Sequence, residues 1–373
     1  MEQEAGQPLL ARRGDANGMS SSAADEPVPC CFCSRPCFRR VCRFFVGVAC
    51  RWTTCRRVLC CVKPNAVKNL TEYELPGEFG DMLRKGQLYT ALLLATTFSD
   101  KYRGKHMQLR DACEVHLPNS IDVQRPILSG RHSYQEVSCS IWCGDGDAGD
   151  DIVYVTFGPM GFGSQVCKIG CRGSDLVCDN WGNKTVNISG YMKKKLDYLW
   201  KENGLYATLK GMASTTSGKI LFCGLSHGAA VAQAAALKFA LFAPQHCSRV
   251  HMSSWNAYKW TDEEGSDLVK EVLGDGPDRR CVPFVVSKDF CRYGWLKRRR
   301  YDSVTEWPWG LSPMHDPILL DAHDGTLWSG LHLENVNFGF DFCIRAASVH
   351  WARPALSGMK AATLTAQIMP ASP

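Results

Sequence analysis

The stretch Lys219–Pro244 reads KILFCGLSHGAAVAQAAALKFALFAP. Its first part, Lys219–Cys223, is short, apolar and β-compatible, the pattern of a buried strand. Gly224-Leu225-Ser226-His227-Gly228 follows, a G-x-S-x-G. Ala229–Ala243 is an Ala/Leu-rich helical run that Pro244 stops. A serine on a tight strand-to-helix turn projects its hydroxyl out of the backbone. Glycines two before and two after remove the β-carbons that would clash as strand and helix close on each other. The helix N-terminus adds a positive dipole end beside any developing negative charge. The five-residue pattern recurs by chance; a strand running in and a helix running out give it meaning.

Outward from this stretch, Ile152–Phe157 and Val166–Cys171 read as strands, as do Val250–Ser253 and Val282–Ser287. Gly190–Glu202 reads as a helix ending near Gly204. Phe79–Arg103 reads as one helix, with Met82, Leu83, Leu88, Ala91, Leu92, Ala95 and Phe98 roughly on one face. The polar stretch after it has no clear period. Strands alternating with helices predict an α/β fold with a mostly parallel central sheet flanked by helices. Such sheets carry reactive groups at the C-terminal ends of their strands.

A serine hydroxyl becomes nucleophilic beside a base, and the base needs a carboxylate to hold its tautomer. The expected chain order is serine, acid, histidine. Asp289 ends the apolar run from Val282 and is the candidate acid. Asp262 is held in reserve because it opens a Thr/Asp/Glu run that reads as a helix cap. The downstream histidines are His315, His323, His332 and His350. The backbone N–H of His227, the residue after the serine, is a predicted oxyanion donor.

Further motifs stand in a specific order around the turn. Cys171-Arg172-Gly173-Ser174 lies upstream, followed by Trp181 and by Val186-Asn187-Ile188-Ser189-Gly190-Tyr191. With the G-x-S-x-G, over roughly residues 79–360, they resemble the fungal-type (class 3) lipases of the α/β-hydrolase superfamily. The resemblance implies Ser226 as nucleophile, Asp289 as acid and His350, just before the closing segment Ala355–Thr365, as base. His332 is the alternative base. It also implies Ser174 as a second oxyanion donor through its backbone N–H. The implied activity is serine carboxylic-ester hydrolysis, acting on lipid acyl esters through an acyl-enzyme, with no metal or organic cofactor. Leu225, His227 and Asn187 depart from the family, which has His, Leu and His there. These departures motivate an alternative, a catalytically silent lipase-like domain that binds a membrane or a partner. An imidazole within hydrogen-bond reach of Ser226 separates the two. Acyl transfer to an acceptor other than water would use the same residues.

The chain has 373 residues, 45% hydrophobic and 21% charged, which is globular composition. Its net charge of +6 is uneven: residues 30–63 hold eight Lys+Arg, nine of the 20 cysteines and no acid. The remainder is slightly acidic, so no nucleic-acid partner is expected. Residues 1–29 read as a disordered tail, 30–64 as a Cys/Arg-rich leader, 65–365 as the hydrolase domain and 366–373 as a C-terminal tail. Three readings of the leader stand open: a disordered Cys-rich segment, a zinc site starting from Cys30, Cys33 and Cys37 or from Cys55, Cys60 and Cys61 although no clean repeated ligand pair stands there, and a lipid anchor. Acyl chains on Cys30, Cys31, Cys60 or Cys61, beside arginines, would make a two-signal surface anchor. No signal peptide or membrane-spanning helix is read, so the expected setting is cytoplasmic with peripheral membrane contact. Most body cysteines are expected as small core residues. The run from Asp289 to Trp309, rich in Trp, Lys and Arg, reads either as a flap that meets lipid or as a solvated loop.

Overall fold

A computed structural model of the chain describes residues 70–97, 128–132, 137–144, 152–158, 175–202, 204–289, 299–301, 303–306, 311–331, 350 and 352–368. The leader with Cys30, Cys31, Cys60 and Cys61, the expected strand Val166–Cys171, Ser174 and His332 lie outside these residues.

In chain order the elements are β1 (Thr71–Glu72), α1 (Gly77–Arg84), α2 (Gln87–Thr97), β2 (Leu128–His132), β3 (Val137–Gly144), β4 (Ile152–Phe157), β5 (Leu176–Trp181) and β6 (Lys184–Ser189). Then come α3 (Gly190–Asp197), α4 (Leu205–Thr215), β7 (Lys219–Leu225), α5 (His227–Phe242), β8 (Val250–Trp255), α6 (Glu263–Leu273) and β9 (Cys281–Asp289). The chain closes with β10 (Arg299–Tyr301), β11 (Ile318–Asp321), β12 (Leu327–Ser329) and α7 (Ala352–Ile368).

The main sheet runs β1-β12-β11-β9-β8-β7-β4-β3-β2, with β10 paired to β9 off this path. Its middle strands β4, β7, β8, β9 and β11 are parallel to their neighbours among themselves. The margins are antiparallel: β3 on β4, β2 on β3, β12 on β11 and β1 on β12. The middle strands are apolar on both faces because helices cover both, and every residue of β4 and β8 is buried. On one face Phe79, Leu92 and Met359 of α1, α2 and α7 pack on Tyr154, Leu221 and Phe284. On the other, α5 packs with α3, α4 and α6, and Phe239 meets Phe222 with ring centroids 5.9 Å apart. Each such fully buried side chain contributes about 2–3 kcal/mol. Helix α5 is apolar nearly all round because the sheet, α3 and α6 surround it.

Three expectations change. The single helix expected over Phe79–Arg103 is two helices as far as Thr97, and residues 98–103 lie outside the described residues. Lys85 and Gly86 break it, with Gly86 at φ 71°, a conformation that ends the first helix before Gly86 O accepts Thr90 N in the second. The unassigned polar stretch supplies the marginal hairpin β2–β3, in which Cys139, Ser140, Ile141 and Trp142 are all buried, so polar residues stand among apolar ones and no period-2 pattern shows. Helix α7 runs to Ile368, past residue 365, and Ala366 packs on the core, so part of the expected tail is structured.

Cys139, Cys223 and Cys281 are buried core residues and carry free thiols. Burial pushes all three thiols up, Cys281 to about 12, which leaves them protonated and unreactive. Among the described residues, no helix is long and apolar enough to cross a membrane.

Candidate active site

The C-terminal ends of β7, β8, β9 and β11 lie along one edge of the parallel sheet. Ser226 directly follows β7, and Asp289 and Asp321 end β9 and β11. The turn at Ser226 is strained, with φ 58° and ψ −122°, a backbone region that costs a non-glycine residue about 1–3 kcal/mol. Surrounding contacts hold it there: Ser226 N donates to Trp255 O at 2.8 Å and Ser226 O accepts Ala230 N at 3.2 Å.

Both flanking glycines are sterically required. A β-carbon at Gly224 would sit 2.4 Å from the Gly228 carbonyl, and one at Gly228 would sit 2.1 Å from Phe157 O. The first glycine lets strand β7 meet the start of α5. The second lets α5 seat against the end of β4. Together they leave Ser226 half-buried at the sheet edge.

His350 Nε2 lies 2.7 Å from Ser226 Oγ, across 124 positions of sequence. His350 is 6% exposed and stands two residues before the start of α7. That helix is seated by two more close approaches. Gly358 lies over the Asp321 carbonyl, where a β-carbon would be 2.6 Å away, and Gly325, at φ 78°, fits against the Ala362 backbone. The imidazole is thus carried on a helix clamped to the end of β11.

Asp289 is the last residue of β9, opposite Arg299 of β10 in an antiparallel register. Its side chain is outside the described residues. Within the aromatic-basic run, Arg299–Tyr301 pair with β9 as β10; Trp295, Trp307 and Trp309 are outside the described residues. Asp321, which the sequence reading did not weigh, is 2% exposed, and its Oδ1 accepts His323 N at 2.8 Å. Asp262 has the capping role read for it: Oδ1 accepts Gly265 N at 3.0 Å, and Oδ2 accepts Asn187 Nδ2 at 2.7 Å. Asn187 thereby ties β6 to α6. His315 is buried, with Nε2 3.2 Å from Gly274 O.

His227 is the first residue of α5, so its N–H has no carbonyl one turn earlier in the helix to receive it. Ser174 is outside the described residues, but its neighbour Asp175 accepts Gly190 N at 2.8 Å. Tyr191, next in α3, has its ring 5.9 Å from the His227 ring. The His227 ring is 2% exposed, stacked on Tyr258 with Nδ1 2.9 Å from Tyr258 Oη. Burial, then the Lys195 ammonium, hold the imidazole well below its ordinary pKa, so it is neutral.

Sequence reading missed Asn256, Tyr258 and Lys195. Asn256 is fully buried at φ 54°; its N donates to Phe284 O at 2.8 Å and its Oδ1 accepts Val286 N at 2.7 Å. It ties the ends of β8 and β9 together one strand from Ser226. An Asn just past a strand is the signal that could have found it, since Asn tolerates the left-handed region.

No family model matches the chain, and no curated protein matches it in sequence. Solved structures that resemble it include fungal lipases. The Rhizomucor miehei lipase in its propeptide complex is 12% identical, with a TM-score of 0.47 over 76% of this chain and 81% of that one. The lipase of Rhizopus microsporus var. chinensis is 12% identical, with a TM-score of 0.46 over 70% and 80%. Lipase II of Rhizopus niveus is 9% identical, with a TM-score of 0.45 over 71% and 88%.

Proposed function

We propose that the chain is a serine hydrolase of carboxylic esters, with Ser226 as nucleophile, His350 as base and Asp289 as the acid that orients His350. The observation that carries this reading is the 2.7 Å contact between Ser226 Oγ and His350 Nε2 on a glycine-bounded, strained turn. Such a turn is disfavoured unless something requires the hydroxyl to project.

In this reading Ser226 Oγ attacks the ester carbonyl carbon as its proton passes to His350 Nε2. The carbonyl π pair moves onto oxygen, which the N–H groups of His227 and Ser174 receive. The tetrahedral adduct collapses, the bond to the alkoxy oxygen breaks, and His350 returns the proton to the leaving alcohol. Water then repeats the sequence on the acyl-enzyme and frees the acid. Preorganised donors at the oxyanion are commonly the largest single contribution to rate. Following the resemblance in sequence motifs, the substrate class is a lipid acyl ester. The Cys/Arg leader would hold the enzyme at a lipid surface, and hydroxylamine-sensitive acyl labelling of Cys30, Cys31, Cys60 or Cys61 tests that role.

The experiment is fluorophosphonate labelling together with ester turnover. Wild type should label at Ser226. Ser226→Ala and His350→Ala should each lose roughly a million-fold in kcat, by analogy with other serine-histidine pairs. Asp289→Asn should lose about 10⁴-fold. Labelling of a folded Ser226→Ala protein would remove the serine from this role. A larger loss in Asp321→Asn than in Asp289→Asn would move the acid to β11.

A further inference from the structure

Among the described residues, the non-glycine residues with positive φ are Ser226, at 58°, and Asn256, at 54°. The sheet register makes them neighbours. Leu225 pairs with Trp255, and Trp255 with Phe284, all in parallel. One step further along, Ser226 stands opposite Asn256 and Asn256 opposite Val285. Strands β7 and β8 therefore leave the sheet at the same level, each through a residue of positive φ, while β9 runs on to Asp289.

Asn256 leaves without breaking the ladder. In parallel pairing, the N–H and C=O of one residue bond the residues on either side of its partner. Asn256 N donates to Phe284 O at 2.8 Å, as that pattern requires. The matching acceptor for Val286 N would be the Asn256 main-chain carbonyl. The side-chain Oδ1 takes its place and accepts Val286 N at 2.7 Å. An amide carbonyl thus stands in for a main-chain one, so that β8 turns away while β9 stays paired. Asparagine suits the position because it tolerates positive φ and carries a carbonyl on a short side chain.

The same turn anchors the serine. Trp255 O and Asn256 N belong to one planar peptide group. Its carbonyl accepts Ser226 N at 2.8 Å, and its N–H is the one bonded to Phe284 O. The Trp255 ring is fully buried and stacks on Phe284, with centroids 5.6 Å apart and planes at 12°. This peptide group is therefore gripped from β9 and in turn holds Ser226 on β7. Ser226 Oγ lies 2.7 Å from His350 Nε2. A rotation of the 255–256 peptide would release Ser226 N and shift Oγ against that nitrogen.

We propose that Asn256 is a positioning residue for the nucleophile. Its positive φ and its Oδ1–Val286 bond fix the 255–256 peptide, and that peptide sets where Ser226 Oγ lies against His350. This role rests on the reading of Ser226 as nucleophile. Asn256 is fully buried and needs no contact with substrate, because it acts through one main-chain hydrogen bond. A misplacement of about 1 Å at reacting atoms costs on the order of a hundredfold in rate.

The test compares variants at a temperature at which circular dichroism shows each to be folded. The readouts are the rate of fluorophosphonate labelling per folded molecule, and kcat and KM for p-nitrophenyl butyrate. Asn256→Ala removes both the amide and the tolerance of positive φ. It should lower the labelling rate and kcat about a hundredfold, with KM little changed. Asn256→Gly restores the backbone without the amide and should lose only about tenfold, the worth of one hydrogen bond. Lys238→Met, which breaks a buried ionic cluster further along α5, should keep the wild-type rates, because lost stability alone does not move a rate per folded molecule. Wild-type rates in both Asn256 variants, or an equal loss in Lys238→Met, would overturn the role of Asn256 and leave Ser226 as nucleophile. If the alanine variant does not fold, a wild-type rate in Asn256→Gly suffices to overturn it. Absence of labelling and turnover in wild type overturns the hydrolase reading and the role of Asn256 with it.

Discussion

The two ends of helix α5 handle buried polar groups in opposite ways. At its N-terminus, Ser226 is held at φ 58° and His227 Nε2 has no partner among the described residues. About 16 Å further along the same helix, Lys238 is 5% exposed and lies 3.4 Å from Asp179 Oδ2 and 3.3 Å from Asp197 Oδ1. Lys193 joins the same two carboxylates, and Trp181 Nε1 donates to Asp179 at 2.7 Å. The Lys238 ammonium also sits over the Trp181 and Trp200 rings, 5.3 and 5.5 Å from their centroids. The second end pins α5 to β5 and α3 with its charge satisfied. The first carries strain and a buried imidazole nitrogen without a partner among the described residues. Residual strain and unmet hydrogen bonds mark where a fold is shaped for something other than itself.

Substitutions at the two ends should therefore fail differently. Gly228→Ala is expected to have the largest effect. Its β-carbon would meet Phe157 O, the elbow would have to open, and fluorophosphonate labelling should be lost along with about 3 kcal/mol or more of stability. Denaturant midpoints and labelling, read together, would reveal an elbow that tolerates it.

Lys238→Met should cost about 3 kcal/mol, because removing one partner of a buried ionic cluster leaves the others poorly compensated. Activity per folded molecule should be unchanged, and a midpoint equal to wild type would break the contrast. Asn256→Ala should cost about 2 kcal/mol through the lost Val286 bond and the left-handed backbone, while Asn256→Gly should recover about half of that.

The smallest effect is in pH. His227, His251 and His315 all have depressed pKa values, chiefly from burial. The unfolded chain, with histidines near about 6.5, binds more protons than the folded one below that pH. The stability these groups contribute is therefore present above about pH 6.5 and is lost as pH falls toward the folded values. Each contributes a slope of up to about 1.4 kcal/mol per pH unit. Denaturation of wild type and His227→Leu between neutral and mildly acidic pH should show a shallower slope in the variant. Identical slopes would place the acid sensitivity wholly outside the elbow.

Much of the framework was legible locally. Ile152–Phe157 has the bounds of β4, and Lys219–Ala243 contains β7, the turn and α5 nearly to the residue. These signals are strong because central parallel strands are apolar on both faces and a strand-turn-helix needs its glycines at fixed offsets. The helix break at Gly86 was also local and was overlooked because the apolar stripe continues through it. The hairpin β2–β3 was illegible because its segment carries no apolar run.

The chain order alone therefore determines that Ser226 stands on a tight βα turn, since strand, glycines and helix are adjacent along the backbone. Which imidazole meets that hydroxyl was decided by tertiary structure. His350 reaches it only because α7 docks through Gly358 and Gly325 onto the end of β11. The state of His227 was decided the same way, by Tyr258 and by Lys195. A pairing between groups far apart in sequence depends on how helices seat on the sheet, and no local pattern encodes that seating.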